Sequence, residues 1–565
     1  MKRWSLFVVL LLVSVWTWAQ TPRRVILRFS ADSPEAIVES VTTFGKTDLL
    51  FAMERLQKPE DTPEMKAALA QVLWKNNELV AAVPLLPSID VVEVEPQTVE
   101  AIIEQAHAEG WLVKTPAVWR KFLRDESRVY GGRTFYVSAS SGDDLADGLS
   151  PATAWRSLSR VNDAELGFAD TVRFRAGDVF RGHLEPQSGA PGQPIVYMAY
   201  GSGDKPILEP SFDASSPEDW VKVGRKLWKC EKDSRNELGN VILNHGAKGC
   251  AFKVDRPELL GRKDLRFCWV RDEHTVYMVS RRNPGKRFQS IELAEKQHII
   301  DETDCHDIEY DGLWLRYGAA HGIGGSGVRG ITVRNCDISW IGGSTLYYDE
   351  GGRGVRYGNG IEFWSAAEDI LVEGCRLWEC WDAALTNQSN VDGVLQKNIT
   401  YRGNEIWNSE YSYEYWQQGD GARTENILFE DNVCRDAGYG WGHKQRWNPN
   451  AAHLMFYDTT AQTSSFVVRG NRFLRSKNVG MRLFNAWYAS LTLENNEWYI
   501  PCHILCRYHA RPTSGLIFKY PDHLDSAHID EEAEIQSQTV ESPRVFRYGK
   551  RALREFRQFL GTNHD

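Results

Sequence analysis

The 565-residue sequence predicts a parallel β-helix, and three observations support this fold class. A short motif ending in Asn or Cys recurs between about residue 307 and residue 508. Copies without a long insertion are 25 to 29 residues apart, a period typical of stacked supersecondary units. Each copy alternates apolar and polar residues and is rich in β-branched side chains, which favours strands. The copies are 330–336, 369–375, 398–404, 426–432, 465–471 and 490–496.

A leucine-rich repeat is the other solenoid with a comparable period. It would require Leu at fixed offsets and a helix in each repeat, whereas these copies have turn Gly and Asn residues and no helical stripe. Asn side chains in polar turns can stack from coil to coil and bond backbone groups. The pattern therefore favours the β-helix.

The first 126 residues read differently from the repeats. Residues 1–19 combine Lys2 and Arg3, an apolar run and a small-x-small ending, which predicts a signal peptide and a periplasmic or secreted protein. The apolar run is too short to span a bilayer, and nothing later is apolar enough, so we expect no membrane span. Residues 20–126 contain Pro-led helix starts and short apolar strands, which predicts a small α/β or helical module without assignable chemistry.

From residue 133 onward the sequence predicts strands, and four segments are informative about the fold. They read RTFYVSASSGDD (133–144), DGLSPATAWRSL (147–158), ADTVRFRAGDVF (169–180) and SGAPGQPIVYMAYGSG (188–203). This text closely resembles the opening coils of the pectate-lyase-like right-handed parallel β-helix carbohydrate-active proteins. The resemblance, extended through the later repeats, covers 133–510 and implies this fold and export. It leaves the reaction open, because the fold hosts lyases, hydrolases, epimerases and non-catalytic adhesins.

The remaining segments complete the predicted organisation. Residues 211–300 interrupt the repeat with Trp-rich strands and predict a β-rich insertion, and the polar tail 511–565 ends in a predicted helix. The net charge of −10 gives no reason to expect a nucleic-acid partner. Oligomeric state is left open by the sequence.

Acidic residues follow the repeat motif in a second set of strands. If the apolar residues of these strands point inward, alternation directs a column of side chains outward. Like charges in neighbouring coils raise the pKa of one carboxyl, which a general acid requires. We therefore expect Glu362, Asp382 and Glu414 to be the catalytic candidates. The predicted column is Glu362, Asp382, Glu414, Met455 and Arg482.

Two long insertions, 340–359 and 438–452, fall between the repeat turn and these strands and should rim the column. They are rich in Gly, aromatic and basic residues, a composition typical of binding walls. Aromatic rings can stack on sugars, and Arg or His can bond hydroxyls. The predicted substrate-binding residues are Arg482, His443, Lys444, Arg446, His453, Trp416, Trp441, Trp447 and Asp458.

These observations predict an enzyme that hydrolyses glycosidic bonds of a polysaccharide or oligosaccharide with two carboxylates. A polysaccharide lyase is the alternative: Lys444, Arg446 or Arg482 would be its base, and calcium, the one cofactor that the sequence admits, would be held by the carboxylates. An anionic column disfavours a uronate substrate unless a cation intervenes. A non-catalytic glycan-binding protein is the third alternative.

Overall fold

The computed structural model describes residues 131–499 except 235, 458 and 485–490, followed by 506–508 and 518–519. The chain divides into two compact units, 1–129 and 130–565, and every described residue belongs to the second. The predicted signal peptide, the 20–126 module and the terminal helix of the tail lie outside the described residues.

The second unit is a coil of short parallel strands that form three ladders, here called A, B and C. Each full coil adds one strand to ladder C, then one to A, then one to B, and each strand pairs in parallel with its equivalents in the adjacent coils. Two long strands, Ile323–Arg334 and Ile361–Glu373, contribute their first part to ladder A and their second part to ladder B. The predicted parallel β-helix is confirmed.

The other strands are assigned to the ladders by this pairing. Ladder A contains Ile300–Asp301, Ala383–Ser389, Tyr411–Gln417, Ala452–Tyr457, Val479–Phe484 and Cys506–Tyr508. Ladder B contains Thr134–Val137, Thr171–Arg175, Ile195–Tyr200, His306–Asp311, Leu395–Arg402, Arg423–Glu430, Gln462–Arg469, Leu491–Glu494 and Phe518–Lys519. Ladder C contains Val179–Arg181, Ile207–Glu209, Trp314–Arg316, Asp337–Ile341, Arg376–Cys380, Glu405–Trp407, Val433–Ala437, Arg472–Ser476 and Glu497–Tyr499.

The repeat motif forms a buried asparagine ladder at the turn from ladder B to ladder C. The Oδ1 atom of Asn432 accepts the backbone N–H of Asn404 at 2.9 Å, and its Nδ2 atom donates to the carbonyl of Tyr401 at 3.0 Å. Asn471 and Asn496 repeat both contacts in the next coils. Each side chain thus satisfies backbone groups that the turn leaves without strand partners.

Replacing Asn432 by Ala should therefore destabilise the coil. It leaves the buried N–H of Asn404 and the carbonyl of Tyr401 unsatisfied, which costs about 2–4 kcal/mol of the free energy of unfolding. Urea unfolding measures the loss. The matched control is Asn390→Ala at an exposed loop position, for which we expect a change within about 0.5 kcal/mol. Equal effects of the two substitutions would contradict the role of the ladder.

Several small elements leave the coil. Residues 212–295 form one five-stranded and one three-stranded sheet, called the insertion sheets, and a hairpin pairs Ser344–Tyr348 with Gly354–Tyr357. Among the described residues there are three short α-helices, Leu158–Asn162, Pro284–Arg287 and Trp441–Gln445. The insertion strands are Phe252–Lys253, Arg266–Val270, Thr275–Val279, Leu227–Cys230 and Trp220–Gly224 in the larger sheet, and Phe212–Asp213, Ile291–Glu295 and Leu238–Leu243 in the smaller. Within the described part of the chain, no helix is long and apolar enough to cross a membrane.

Candidate active site

The outer face of ladder A carries an aligned row of side chains, here called the acid row. Strand pairing aligns Glu362 with Thr386 and Thr386 with Glu414, so the two glutamates lie two coils apart, about 9.6 Å between Cα atoms. The residues that flank the row along each strand point into the core. The full row is Gly324, Glu362, Thr386, Glu414, Met455 and Arg482.

Asp382 is not a member of this row, which corrects the predicted column. Leu385 pairs with Tyr413, so Thr386 occupies the position that the sequence reading gave to Asp382. Asp382 lies just before the strand Ala383–Ser389, in the turn from ladder C to ladder A. The corresponding position in the next coil is Glu410, directly before Tyr411.

Arg446 links the two acidic residues of these turns. Its Nη2 atom is 2.7 Å from Asp382 Oδ1 and also donates to the carbonyl of Trp381 at 2.8 Å. Its Nε atom is 3.9 Å from Glu410 Oε2. The guanidinium is held among these groups with a side chain only 9% exposed.

Glu410 is a buried carboxylate that holds other residues of the site in place. Its side chain is fully buried, accepts the backbone N–H of Asn450 at 2.8 Å and is 2.9 Å from His443 Nδ1. Burial by itself would raise the pKa of Glu410, but the hydrogen bond from His443 and the charge of Arg446 lower it below its usual value. Because it does not reach solvent, Glu410 positions Arg446 and His443 rather than contacting a substrate.

Asp382 and Glu414 are two partly exposed carboxyls of the site with different surroundings. Burial raises the pKa of Asp382, and Arg446 opposes that shift. Burial also raises the pKa of Glu414 well above its usual value, and the nearby charge of Asp382 raises it further. Glu414 has no cation bonded to it among the described residues and meets only Gln388 Nε2, at 3.3 Å. Arg446 therefore favours the ionised form of Asp382, whereas burial and the charge of Asp382 favour the protonated form of Glu414.

Glu362 occupies the acid row two coils from Glu414 and is 8% exposed. Asn359 donates to one of its carboxyl oxygens through Nδ2, and His321 Nε2 lies 3.4 Å from the other. Burial raises the pKa of Glu362 to about 7. This carboxyl is therefore oriented by two neutral side chains.

Aromatic residues flank the acid row on the same face. Trp364 and Trp416 align on either side of Gln388, with ring centroids 5.6 Å apart and ring planes 46° apart. Both rings are half-buried, and no partner for the indole N–H of Trp416 exists among the described residues. Such partly exposed rings can stack on a sugar.

Arg356 joins the elements that wall the site. Its guanidinium stacks 4.0 Å from the centroid of the Trp381 ring and donates to Gln445 Oε1 at 2.9 Å. It also donates to the carbonyl of Gly239 at 3.1 Å, and Gln445 Oε1 accepts the N–H of Lys253 at 3.2 Å. The hairpin, the Trp441–Gln445 helix and the insertion sheets are thereby fixed to one another.

The predicted binding residues of the second long insertion occupy different environments. Trp441 is buried, stacks against Trp381 and donates to the carbonyl of Glu379 at 2.9 Å, so it packs the wall. His443 is also buried, whereas Lys444 is exposed. Trp447 is 58% exposed, with the guanidinium of Arg353 at 4.1 Å over its ring.

The remaining predicted binding residues lie in ladder A or next to it. His453 is 0% exposed and faces the coil interior, 3.0 Å from Ser412 Oγ, so its predicted contact with substrate is wrong. Arg482 stands in the acid row after Met455, and Trp416 lies beside the row. Asp458 falls outside the described residues.

His453 makes stability depend on pH. Burial lowers the pKa of His453 from 6.5 to about 3. Below about pH 6.5 this imidazole is therefore protonated in the unfolded chain but stays neutral in the folded chain. Stability should fall as pH drops through this window, by about 2 kcal/mol at pH 5 from this residue. His453→Gln should flatten the slope of the urea-unfolding free energy against pH by about one proton. The exposed His245→Gln serves as control, and an unchanged slope in both variants would contradict the assignment.

Removal of Arg446 should strongly destabilise the protein. Arg446→Met leaves Asp382 and the buried Glu410 without their shared cation, at an expected cost of about 3–5 kcal/mol in the free energy of unfolding. The control is Arg423→Met, where an exposed arginine faces Glu425 at 3.7 Å, and we expect a loss below about 1 kcal/mol. Losses of similar size would show that Arg446 does not hold the two carboxylates.

The sequence admitted calcium as a cofactor. Between residues 131 and 519, in the part that is described, no group of three or more His, Cys, Asp or Glu side chains is arranged to hold a metal ion. The carboxyls of the site are bonded instead by Arg446, Asn359 and Gln388.

The described chain is a parallel β-helix with a row of acidic side chains and two flanking Trp residues on ladder A. No protein-family model matches it. A lacto-N-biosidase of Bifidobacterium longum subsp. longum is 34% identical over 116 residues. That stretch is 19% of this chain and spans only 6% of the length of the relative.

Solved structures that are similar to this chain match it at low identity and with TM-scores below 0.5. The complex structure of XylC with xylose has a TM-score of 0.37 and 12% identity over 69% of each chain. A GH136 lacto-N-biosidase from Eubacterium ramulus has a TM-score of 0.34 and 13% identity, covering 87% of this chain and 96% of that one. An exopolygalacturonase from Thermotoga maritima has the same TM-score and identity, covering 62% and 80%. The resemblance to pectate-lyase-like β-helix proteins is confirmed at the level of the fold, which the strand pairing of this chain defines.

Proposed function

We propose that this protein is an exported glycoside hydrolase that cleaves a polysaccharide or oligosaccharide. The observation that supports it most is the contrast between the carboxyls of Asp382 and Glu414: Arg446 opposes the rise in the pKa of Asp382, whereas burial and the charge of Asp382 raise the pKa of Glu414. Hydrolysis of a glycosidic bond requires one carboxylic acid that holds a proton and a second carboxylate that is ionised. Arg446 favours the ionised form of Asp382, and Glu414 retains its proton.

The chemistry follows from these two states. Glu414 donates its proton to the oxygen of the departing sugar as the glycosidic bond breaks. The Asp382 carboxylate, oriented by Arg446, acts on the opposite side of the sugar ring as nucleophile or as base for water. Trp364 and Trp416 offer ring faces beside the acid row on which the sugar can stack.

The bonding of the basic residues favours hydrolysis over elimination. A lyase would need a Lys or Arg ready to accept a proton in the cleft, but Arg446 is engaged by Asp382 and by the carbonyl of Trp381. Lys444 is exposed on its helix. The short sequence match to a lacto-N-biosidase also supports a glycosidase.

Incubation with a panel of neutral and uronate-containing glycans tests the proposal. Reducing ends and the ultraviolet absorbance of an unsaturated uronate would be read together. We expect reducing ends to appear without that absorbance. A rise in both signals would replace the hydrolase by a lyase, and no cleavage of any glycan would leave a binding protein.

A further inference from the structure

Three successive coils of ladder A carry a chain of side chain to backbone hydrogen bonds beside the acid row. The N–H of His321 donates to His298 Nδ1 at 3.1 Å, and the N–H of Asn359 donates to His321 Nδ1 at 3.0 Å. The N–H of Ala383 then donates to Asn359 Oδ1 at 2.9 Å. Each side chain thus accepts the backbone of the next coil.

These bonds fix the tautomer of both histidines. Because each Nδ1 accepts an N–H, the ring hydrogen must reside on Nε2, and a second proton would place two N–H groups against each other. Burial acts in the same direction, lowering the pKa of His298 to about 4 and of His321 to about 3. The two rings stack with centroids 4.9 Å apart. Both are therefore neutral donors.

The donors surround Glu362. His321 Nε2 lies 3.4 Å from Glu362 Oε1, and Asn359 bonds the other oxygen. A carboxylate has about four acceptor positions, so this pair leaves some for a ligand. Among the described residues, no Lys or Arg is paired with Glu362.

The His298 ring covers Gly324 in the acid row and so lies beside Glu362. Gly324 precedes Glu362 in this row, where a Cβ atom would lie 2.9 Å from His298 Nδ1 and 3.2 Å from His321 Cβ. Any larger residue would press on the imidazoles. Glu362 and Glu414 are two coils apart, about 9.6 Å between Cα atoms, so the cluster of Glu362, His298 and His321 lies about one sugar residue along the acid row from the reacting bond.

We propose that Glu362, His298 and His321 form a second sugar-binding subsite, one residue along the cleft from Asp382 and Glu414, that takes a neutral sugar. This inference rests on the proposed function. Sugar hydroxyls donate to Glu362 and accept from His298 Nε2. A uronate is rejected, because its carboxylate would face Glu362 without a compensating cation.

Calorimetric binding to the full chain bearing E414Q, which is expected not to turn over its ligand, tests the subsite. The probes are glucose, galactose, xylose and N-acetylglucosamine with their β-linked di- and trisaccharides, and galacturonic acid with its dimer and trimer. We expect at least one neutral disaccharide to bind ten-fold or more tightly than its monosaccharide, and the galacturonate dimer to show no such gain.

Two further substitutions in the E414Q protein test whether the gain in affinity from the second sugar residue comes from this subsite. In H298N the amide oxygen can still accept the N–H of His321, just as Asn359 Oδ1 accepts the N–H of Ala383. The substitution removes the Nε2 donor. G324A adds a methyl group that displaces the His298 ring from its place beside Glu362. Both should abolish the gain from the second residue, whereas the exposed H245N should leave it unchanged. If H298N does not fold, G324A decides.

Each outcome has a distinct meaning. Persistence of the gain in both variants, or an equal gain for the galacturonate dimer, overturns the subsite. If the wild type still hydrolyses neutral glycans through Asp382 and Glu414, the proposed function survives that result. If no glycan is cleaved but the gain depends on His298 and Gly324, the hydrolase fails and the subsite stands.

Discussion

Asp382→Asn is expected to lower kcat by about 10³-fold or more, with little change in stability. The amide retains an oxygen that can accept from Arg446 Nη2, so the turn and its ion-pair partner should stay in place. It removes the negative charge that the proposed mechanism requires on the second carboxyl. Steady-state kinetics on the best glycan of the panel, with unfolding in urea, measures both effects.

The matched control is Glu405→Gln. Glu405 is a half-exposed carboxylate on ladder C, paired with Arg435 at 2.8 Å, and it lies outside the cleft. We expect it to retain full activity. Loss of activity in both variants, or full activity in D382N, would remove Asp382 from the reaction.

Glu414→Gln is expected to lower kcat by roughly 10²–10⁴-fold on natural glycans, because the amide cannot deliver a proton to the departing oxygen. The loss should shrink for aryl glycosides whose leaving group departs without protonation. Gln388 can still contact the amide, so the strand Tyr411–Gln417 should be unaffected. The comparison of kcat between aryl and natural substrates measures the effect.

A loss that is independent of the leaving group would contradict the proton-donor role of Glu414. The outcome would then point to substrate positioning, and Glu362, with its pKa raised to about 7 by burial, would be the next acid to replace. Glu405→Gln again controls for general effects of removing a carboxylate.

The sequence is sufficient to predict the coiled fold and the outward positions of Glu362 and Glu414, but not the position of Asp382. Alternation around Tyr413 and Tyr415 directs Glu414 outward, and the flanking Ile361 and Phe363 do the same for Glu362. Asp382 was misaligned because Ala384 and Leu385 are both in the core, which breaks the period of two in that strand. The three residues between Asp382 and Thr386 are all apolar, so no polar side chain within them reveals this shift.

The contacts of the supporting residues could not be predicted in the same way: the sequence predicts Arg446 as a substrate-binding residue and not as the partner of Asp382, and it does not single out Arg356. Arg356 and Arg446 come from insertions whose paths depend on contacts with Trp381, Gln445 and the insertion sheets rather than on local pattern. Glu410 did carry a signal, because it precedes Tyr411 as Asp382 precedes Ala383 in the aligned coil. The predicted contact of His453 with substrate fails because this polar side chain faces the interior of the coil. There it lies within hydrogen-bond distance of Ser412.

In the proposed mechanism Glu414, whose pKa is raised, donates the proton, and Asp382 acts in its ionised form. The most direct test is the pH dependence of kcat/KM for the wild type and for E414Q, measured on an aryl glycoside that both cleave. The wild type should show a bell-shaped profile whose alkaline limb reports a carboxyl with a strongly raised pKa. That limb should vanish in E414Q while the acidic limb remains. An alkaline limb that persists unchanged in E414Q would contradict this mechanism.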